Sequence, residues 1–189
     1  MKKHIVTAGI YTVVTAVLLG LVYPLLITGL AKLIFPKNAD GQLITRNGEL
    51  IGSRLIGQPF TSASYFYSRP SAAGAGYDAS ASSGSNLAPT NASLIARIDA
   101  SVKSDYTNAP VPIDLVTTSG SGLDPDITPA AALYQVPRIA SERKLPEQAV
   151  RNLVIRQITP RQFGLLGEPR VNVLSLNLAL NQLSQANVQ

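Results

Sequence analysis

Residues able to do chemistry are sparse in this chain of 189 residues, and the densest group lies between positions 114 and 128: Asp114, Ser119-Gly120-Ser121-Gly122 and Asp124-Pro125-Asp126, followed by Thr128. Three carboxylates could bind a cation weakly or do acid/base work. Asp124-Pro125-Asp126 ahead of Thr128 also reads as a turn and helix cap, which is the stronger reading, and nothing in the spacing gathers the three acids into one site. The glycine-rich run lacks the Lys-Ser or Lys-Thr of a P-loop, so a phosphate would meet backbone amides alone; a structural turn is preferred. Ser119 or Ser121 beside Asp124, with Lys103 or Lys144 as base, would make a histidine-free serine hydrolase. The single histidine, His4, stands at the far end of the chain. HExxH, GxSxG, CxxC and EF-hand patterns are missing, and the absence of cysteine removes a thiolate nucleophile, a disulfide scaffold and a zinc-thiolate centre. Arg69, Arg97 and Arg170 suit ion pairs and interfaces better than free anion sites. No catalytic, cofactor-binding or metal-ligating residue is assigned.

The elements that would position these groups begin with an apolar segment. After a tail of residues 1–4, no Asp, Glu, Lys or Arg occurs from Ile5 to Ala31. Residues 5–27 as a helix span roughly 34 Å, against a hydrocarbon core of about 30 Å. A buried core helix and a cleaved signal peptide are the competing readings. The apolar run is too long for the second, and Gly29 and Ala31 make a poor cleavage site. Residues 5–31 are therefore read as an uncleaved single-span helix, kinked by Pro24, with Tyr23 at the headgroup level. Ala8, Thr12, Thr15 and Leu19 form a stripe suited either to a partner helix or to threonines bonded to their own helix. Residues 1–37 carry Lys2, Lys3, Lys32 and Lys37 without an acid, whereas the rest is nearly neutral, so the pI of 9.6 reports the flanks of the span and not a nucleic-acid site. The short tail is expected to stay in the cytoplasm, which places the domain outside it.

Residues 32–189 are expected to form an extracytoplasmic α+β domain with a small antiparallel sheet. Asn47-Gly48 predicts a hairpin of strands 42–46 and 49–52, with a further extended piece at 53–57. Residues 61–90 are small and polar apart from Tyr65, Phe66, Tyr67, Tyr77 and Leu87. Within them, residues 71–86 read as a glycine/serine-rich arm, either disordered or pinned by its aromatics. Asn91 caps a predicted helix to about Tyr106, and a short strand is expected at 113–117. Thr128-Pro129 starts a helix that Pro137 must kink or restart. Another opens at Pro146, buries Val150, Leu153, Val154 and Ile158, and closes before Pro160. Residues 171–183 fit strand or helix, and the helix is favoured. Tyr65, Phe66, Tyr67 and Arg69, and the stretch GLLGEPRVN at 164–172, are interface candidates, with internal packing as the alternative.

YPLLITG (23–29), GSRLIGQPF (52–60), YFYSRPSA (65–72), SGSNLAPTN (83–91), PVPIDLVTTSGSGLDPDITPAAALYQVPRIA (110–140) and LLGEPRVNVLSLNLAL (165–180) together cover nearly the whole chain. In this order they resemble the C subunits of the bacterial potassium-transporting P-type ATPase, the Kdp complex. The chain departs from the family at Asp126, where histidine is common, and in a longer arm at 73–79. The resemblance implies a non-catalytic accessory subunit of the cytoplasmic (inner) membrane. Its expected partners are a channel-like potassium-translocating A subunit, an ATP-hydrolysing B subunit, a small single-span subunit and the lipid bilayer. It implies that the complex handles ATP and potassium, with this subunit aiding assembly and raising the ATP affinity of the B subunit. The phosphorylation motif DKTG is absent here. The residues alone leave open a membrane-anchored extracytoplasmic serine hydrolase, and a module binding potassium near Asp114, Asp124 and Asp126.

Overall fold

The computed structural model describes residues 2–103 and 110–186, in two compact units that meet in sequence between Ser53 and Arg54. The first unit opens with a continuous helix, Lys2–Ile34, whose 33 residues extend the expected span at both ends. It comprises α1 (Lys2–Val17), a π turn (Leu18–Val22) and α2 (Tyr23–Ile34). The π turn follows from Pro24, which has no N–H for the Gly20 carbonyl and whose ring crowds it. The Tyr23 N–H reaches back five residues to the Leu18 oxygen, so the strain of the proline appears as one widened turn. None of the residues of α1 or α2 is buried, which excludes a core helix. An apolar surface of this size needs lipid around it. Thr7 and Thr15 donate to Lys3 and Tyr11 carbonyls at 2.9 and 2.8 Å, so these hydroxyls are satisfied within the helix.

After the short α3 (Pro36–Ala39), strands β1 (Leu43–Arg46) and β2 (Glu49–Ser53) form the expected hairpin. Asn47 and Gly48 take φ of 55° and 82°, the left-handed pair that a type I′ turn needs. A bulge between Ile44 and Thr45 shifts the register. The third extended piece at 53–57 does not form. Beyond Ser53 the chain turns, and the Gly57 N–H donates to the Leu123 carbonyl at 2.8 Å. A Cβ at Gly57 would stand 2.6 Å from the Asp124 carbonyl oxygen, so glycine permits that approach.

The second unit is helical around a three-stranded antiparallel sheet ordered β3-β5-β4: Asp126–Ile127, Arg170–Asn172 and Ile158–Thr159. Asn91 accepts the Ser93 N–H at 2.8 Å and opens α4 (Ala92–Lys103). The rest of the predicted helix, to Tyr106, lies outside the described residues. The strand expected at 113–117 is instead a 3₁₀ turn, Ile113–Leu115, entered from Pro112. Thr128 caps α5 (Pro129–Tyr134), its Oγ1 accepting the Ala131 N–H at 3.2 Å. Pro137 restarts the chain as α6 (Val136–Arg143), where a first-turn proline loses no hydrogen bond. In α7 (Glu147–Gln157) the expected stripe holds as far as Val154, but Ile158 belongs to β4, because the helix must stop ahead of Pro160. Residues 171–183 are both things in turn: Val171 and Asn172 complete β5, and α8 runs Val173–Ala186. Val136, Ile139, Val150, Val154, Val171, Leu176 and Leu180, all fully buried, form the core with Phe66. Each contributes about 1.5–3 kcal/mol of burial.

Phe66 reaches that core on a strap, residues 57–70, with no strand paired to it among the described residues. Two buried carboxamides supply what a strand would. Asn177 accepts the Phe66 N–H at 2.9 Å and donates to its carbonyl at 3.0 Å. Gln135 does the same at Tyr67, at 2.7 and 3.3 Å. Arg138 lies 4.0 Å over the Tyr67 ring and also donates to the Ala63 and Tyr65 carbonyls. Arg143 lies 4.6 Å over Tyr65 and donates to the Ser64 carbonyl. The aromatic group therefore packs inward, as the internal alternative had it. Asn177→Ala, which strands two backbone groups, is expected to destabilise the domain by roughly 2–5 kcal/mol. Thermal melting of the full chain in micelles checks this, and an unchanged transition would show that the strap is held by other means.

Candidate functional site

Near the end of the strap, Arg69 leads into the cleft that the acidic residues share. A cleft of about 240 Å³ is lined by Arg69, Asp114, Asp124, Asp126, Thr128, Glu168 and Arg170, among others. The structure thus gathers the three aspartates that spacing alone left apart. Each is engaged. Asp124 pairs with the Arg69 guanidinium at 3.2 Å, while its other oxygen accepts the Asp126 N–H at 3.0 Å, the expected Asx turn. Asp126 pairs with Arg170 at 3.0 Å and accepts from Asn172 at 3.0 Å. Asp114, buried, accepts the Thr128 N–H at 2.8 Å at the start of α5. Among the described residues no group of acids or histidine is arranged to hold a metal ion. The cleft acts chemically as a set of clamps joining the strap, the 114–128 segment and β5.

The arm and the glycine-rich turn wrap each other. Ser71 donates to the Gly122 carbonyl at 2.5 Å and accepts the Tyr77 N–H at 2.7 Å. Ser83 N–H and Ser82 hydroxyl both donate to the Ser121 carbonyl at 3.0 Å. The Tyr77 hydroxyl donates to the Arg69 carbonyl at 2.7 Å, and burial pushes its phenol up from the ordinary range. The arm is pinned by its aromatic residue, and the disordered alternative is set aside. Gly122, at φ 69°, has no room for a side chain: a Cβ would lie 2.5 Å from the Ser83 oxygen and 2.7 Å from the Ala73 nitrogen. The turn is structural, its carbonyls used by the arm.

The hydrolase grouping is not assembled. Ser119 and Ser121 accept the backbone N–H groups of Asp124 and Leu123, at 3.4 and 3.1 Å. Lys103 ends α4, and Lys144 takes a left-handed conformation after α6. Among the described residues no hydrogen bond joins either serine to either lysine. Arg97 lies on α4 with its Nε buried and unpartnered among the described residues. Residues 164–169 of the GLLGEPRVN stretch lie in the turn between β4 and β5, which is closed by Arg161, whose Nη2 donates to both Glu168 carboxylate oxygens at 2.8 and 2.6 Å. Gln135 and Asn177 escaped the sequence reading. A single amide on an otherwise apolar helical face was the available signal.

The profile of the family described as KdpC, K+-transporting ATPase, c chain, matches residues 5–182. The chain belongs to the KdpC family. It is 62% identical to the potassium-transporting ATPase KdpC subunit of Acidobacterium capsulatum over 182 residues, 96% of this chain and 99% of the relative. To the subunits of the same name from Koribacter versatilis and Gemmatimonas aurantiaca it is 58% and 54% identical, over 96% and 97% of this chain. KdpC membership fits the architecture: one apolar N-terminal helix crossing the inner membrane and a C-terminal domain outside the cytoplasm, with no assembled catalytic site among the described residues.

Tyr77→Phe is expected to cost about 1 kcal/mol by removing the hydroxyl anchor. The phenol's contribution to stability is complete below its ordinary value of about 10 and disappears as pH rises through the higher folded value. The variant's melting temperature should therefore decline less over that alkaline range than the parent's. Gly122→Ala should loosen the arm and speed proteolytic cutting within residues 71–86.

Proposed function

We propose that this chain is a non-catalytic accessory subunit of an ATP-driven potassium import complex. The relatives it matches are potassium-transporting ATPase KdpC subunits, and an identity of 62% over 96% of the chain is the observation that carries the reading. The partners are the channel-like potassium-translocating subunit, the P-type ATPase subunit and a small single-span subunit. Residues 1–4 form a cytoplasmic tail, residues 5–31 the span, and residues 32–189 the extracytoplasmic domain. Support comes from the exposed apolar helix and from a cleft whose aspartates are engaged in turns and ion pairs. ATP on the cytoplasmic side cannot reach the domain, so any effect on nucleotide affinity passes through the membrane helix or through stabilised assembly.

Deleting residues 1–31 is expected to abolish stable co-purification with the channel-like and ATPase subunits and to lower potassium-stimulated ATPase activity. Equal recovery and equal activity would defeat the proposal. In inverted vesicles, residues 38–189 should resist added protease; digestion there would reverse the orientation.

A further inference from the structure

The turn between β4 and β5 carries the two most exposed large apolar side chains of the second unit among the described residues, Phe163 and Leu165, with Leu166 beside them. Phe163 is 85% exposed, Leu165 81% and Leu166 61%. Water does not favour that arrangement, and the loop is built to keep it. Gln162 and Leu166 exchange backbone hydrogen bonds at 2.9 and 3.0 Å, and the Arg161–Glu168 ion pair closes the base. Phe163, Gly164 and Gly167 take φ of 54°, 75° and 73°. An aromatic residue seldom adopts a left-handed backbone, and here that conformation is set in a tight turn with the ring left in solvent.

We propose that residues 162–166 form a rigid apolar knob that seats in an uncharged, apolar pocket on the extracytoplasmic face of another subunit of the transport complex. This rests on the subunit reading above and names the surface it uses. Two observations favour a protein pocket over a lipid surface. The knob is stiffened by cross-turn bonds and an ion pair, which suits a pocket of fixed shape and is needless in fluid lipid. The arginines that flank it are both neutralised, Arg161 by Glu168 and Arg170 by Asp126, so no free basic collar is offered to anionic headgroups. Exposed aromatic and leucine side chains on a preorganised turn match the central anchors of an interface, with paired charges as a rim.

The test uses the full chain and the purified complex. Phe163→Asn relieves the left-handed strain, since asparagine tolerates that backbone, and Leu165→Asp places a charge in the pocket. Both are expected to melt at or above the parent temperature or within a degree or so of it, and to weaken assembly by about tenfold or more. Because the chain has no cysteine, Phe163→Cys carries a single environment-sensitive dye. Its emission should be that of an aqueous site in the isolated full chain in vesicles, and should shift to the blue on assembly. Undiminished assembly of both variants, or dye emission unchanged on assembly, overturns the knob. A blue shift in vesicles without the other subunits, quenched by brominated lipid, overturns it in favour of lipid insertion. If the unaltered chain itself fails to assemble, the subunit reading fails, and that outcome is distinct from the others.

Discussion

A chain segment without a strand beside it must still satisfy its buried backbone, and in this domain two carboxamides do that. Asn177 and Gln135 each present an acceptor and a donor in one plane, as a peptide group does, and each serves one residue of the strap. A leucine would leave both backbone groups unpaired; an ionised aspartate could accept but not donate. At about 1–3 kcal/mol per orphaned group, the four bonds represent a sizeable fraction of the net stability of a typical domain, roughly 5–15 kcal/mol. Phe66 is thereby fixed in the core, and Arg69, three residues on, arrives where Asp124 can pair with it. The arm, the glycine turn and the cleft are positioned downstream of those amides.

The groups with a catalytic appearance are consumed in this work. Aspartates that suggested a cation site close turns and pair with arginines. Serines that suggested a nucleophile accept hydrogen bonds from their own turn. A glycine that suggested a phosphate cradle is small because Ser83 and Ala73 pass too close for any side chain. What is left to face outward is shape and apolar surface, the materials of an assembly subunit.

Local rules made much of the fold legible. The span, the Asn47-Gly48 hairpin, the Asn91 and Thr128 caps and the restart at Pro137 each depend on a few adjacent residues, and each is present. The departures have physical causes. Residues 113–117 read as a short strand after a proline-rich extended run, but the chain leaving Pro112 closes into a tight 3₁₀ turn. Residues 171–183 satisfied two periods because a strand passes into a helix at Val173. Ile158 fitted the α7 stripe but crosses into β4 ahead of Pro160. The cleft was only half legible. Its residues were identified singly, yet Arg69 meets Asp124 across 55 positions, and Asn177 meets Phe66 across 111, distances over which no spacing rule operates.

The widened turn at Leu18–Val22 also has a consequence for how the span is used. An α-helix advances 100° per residue, so one extra residue in a turn rotates everything after it by roughly a quarter of a revolution. The stripe of Ala8, Thr12, Thr15 and Leu19 does not continue in phase along α2. A neighbouring helix laid against the first half therefore finds a different side of the span beyond Tyr23, and two neighbours can be engaged at two depths of the bilayer by a single crossing.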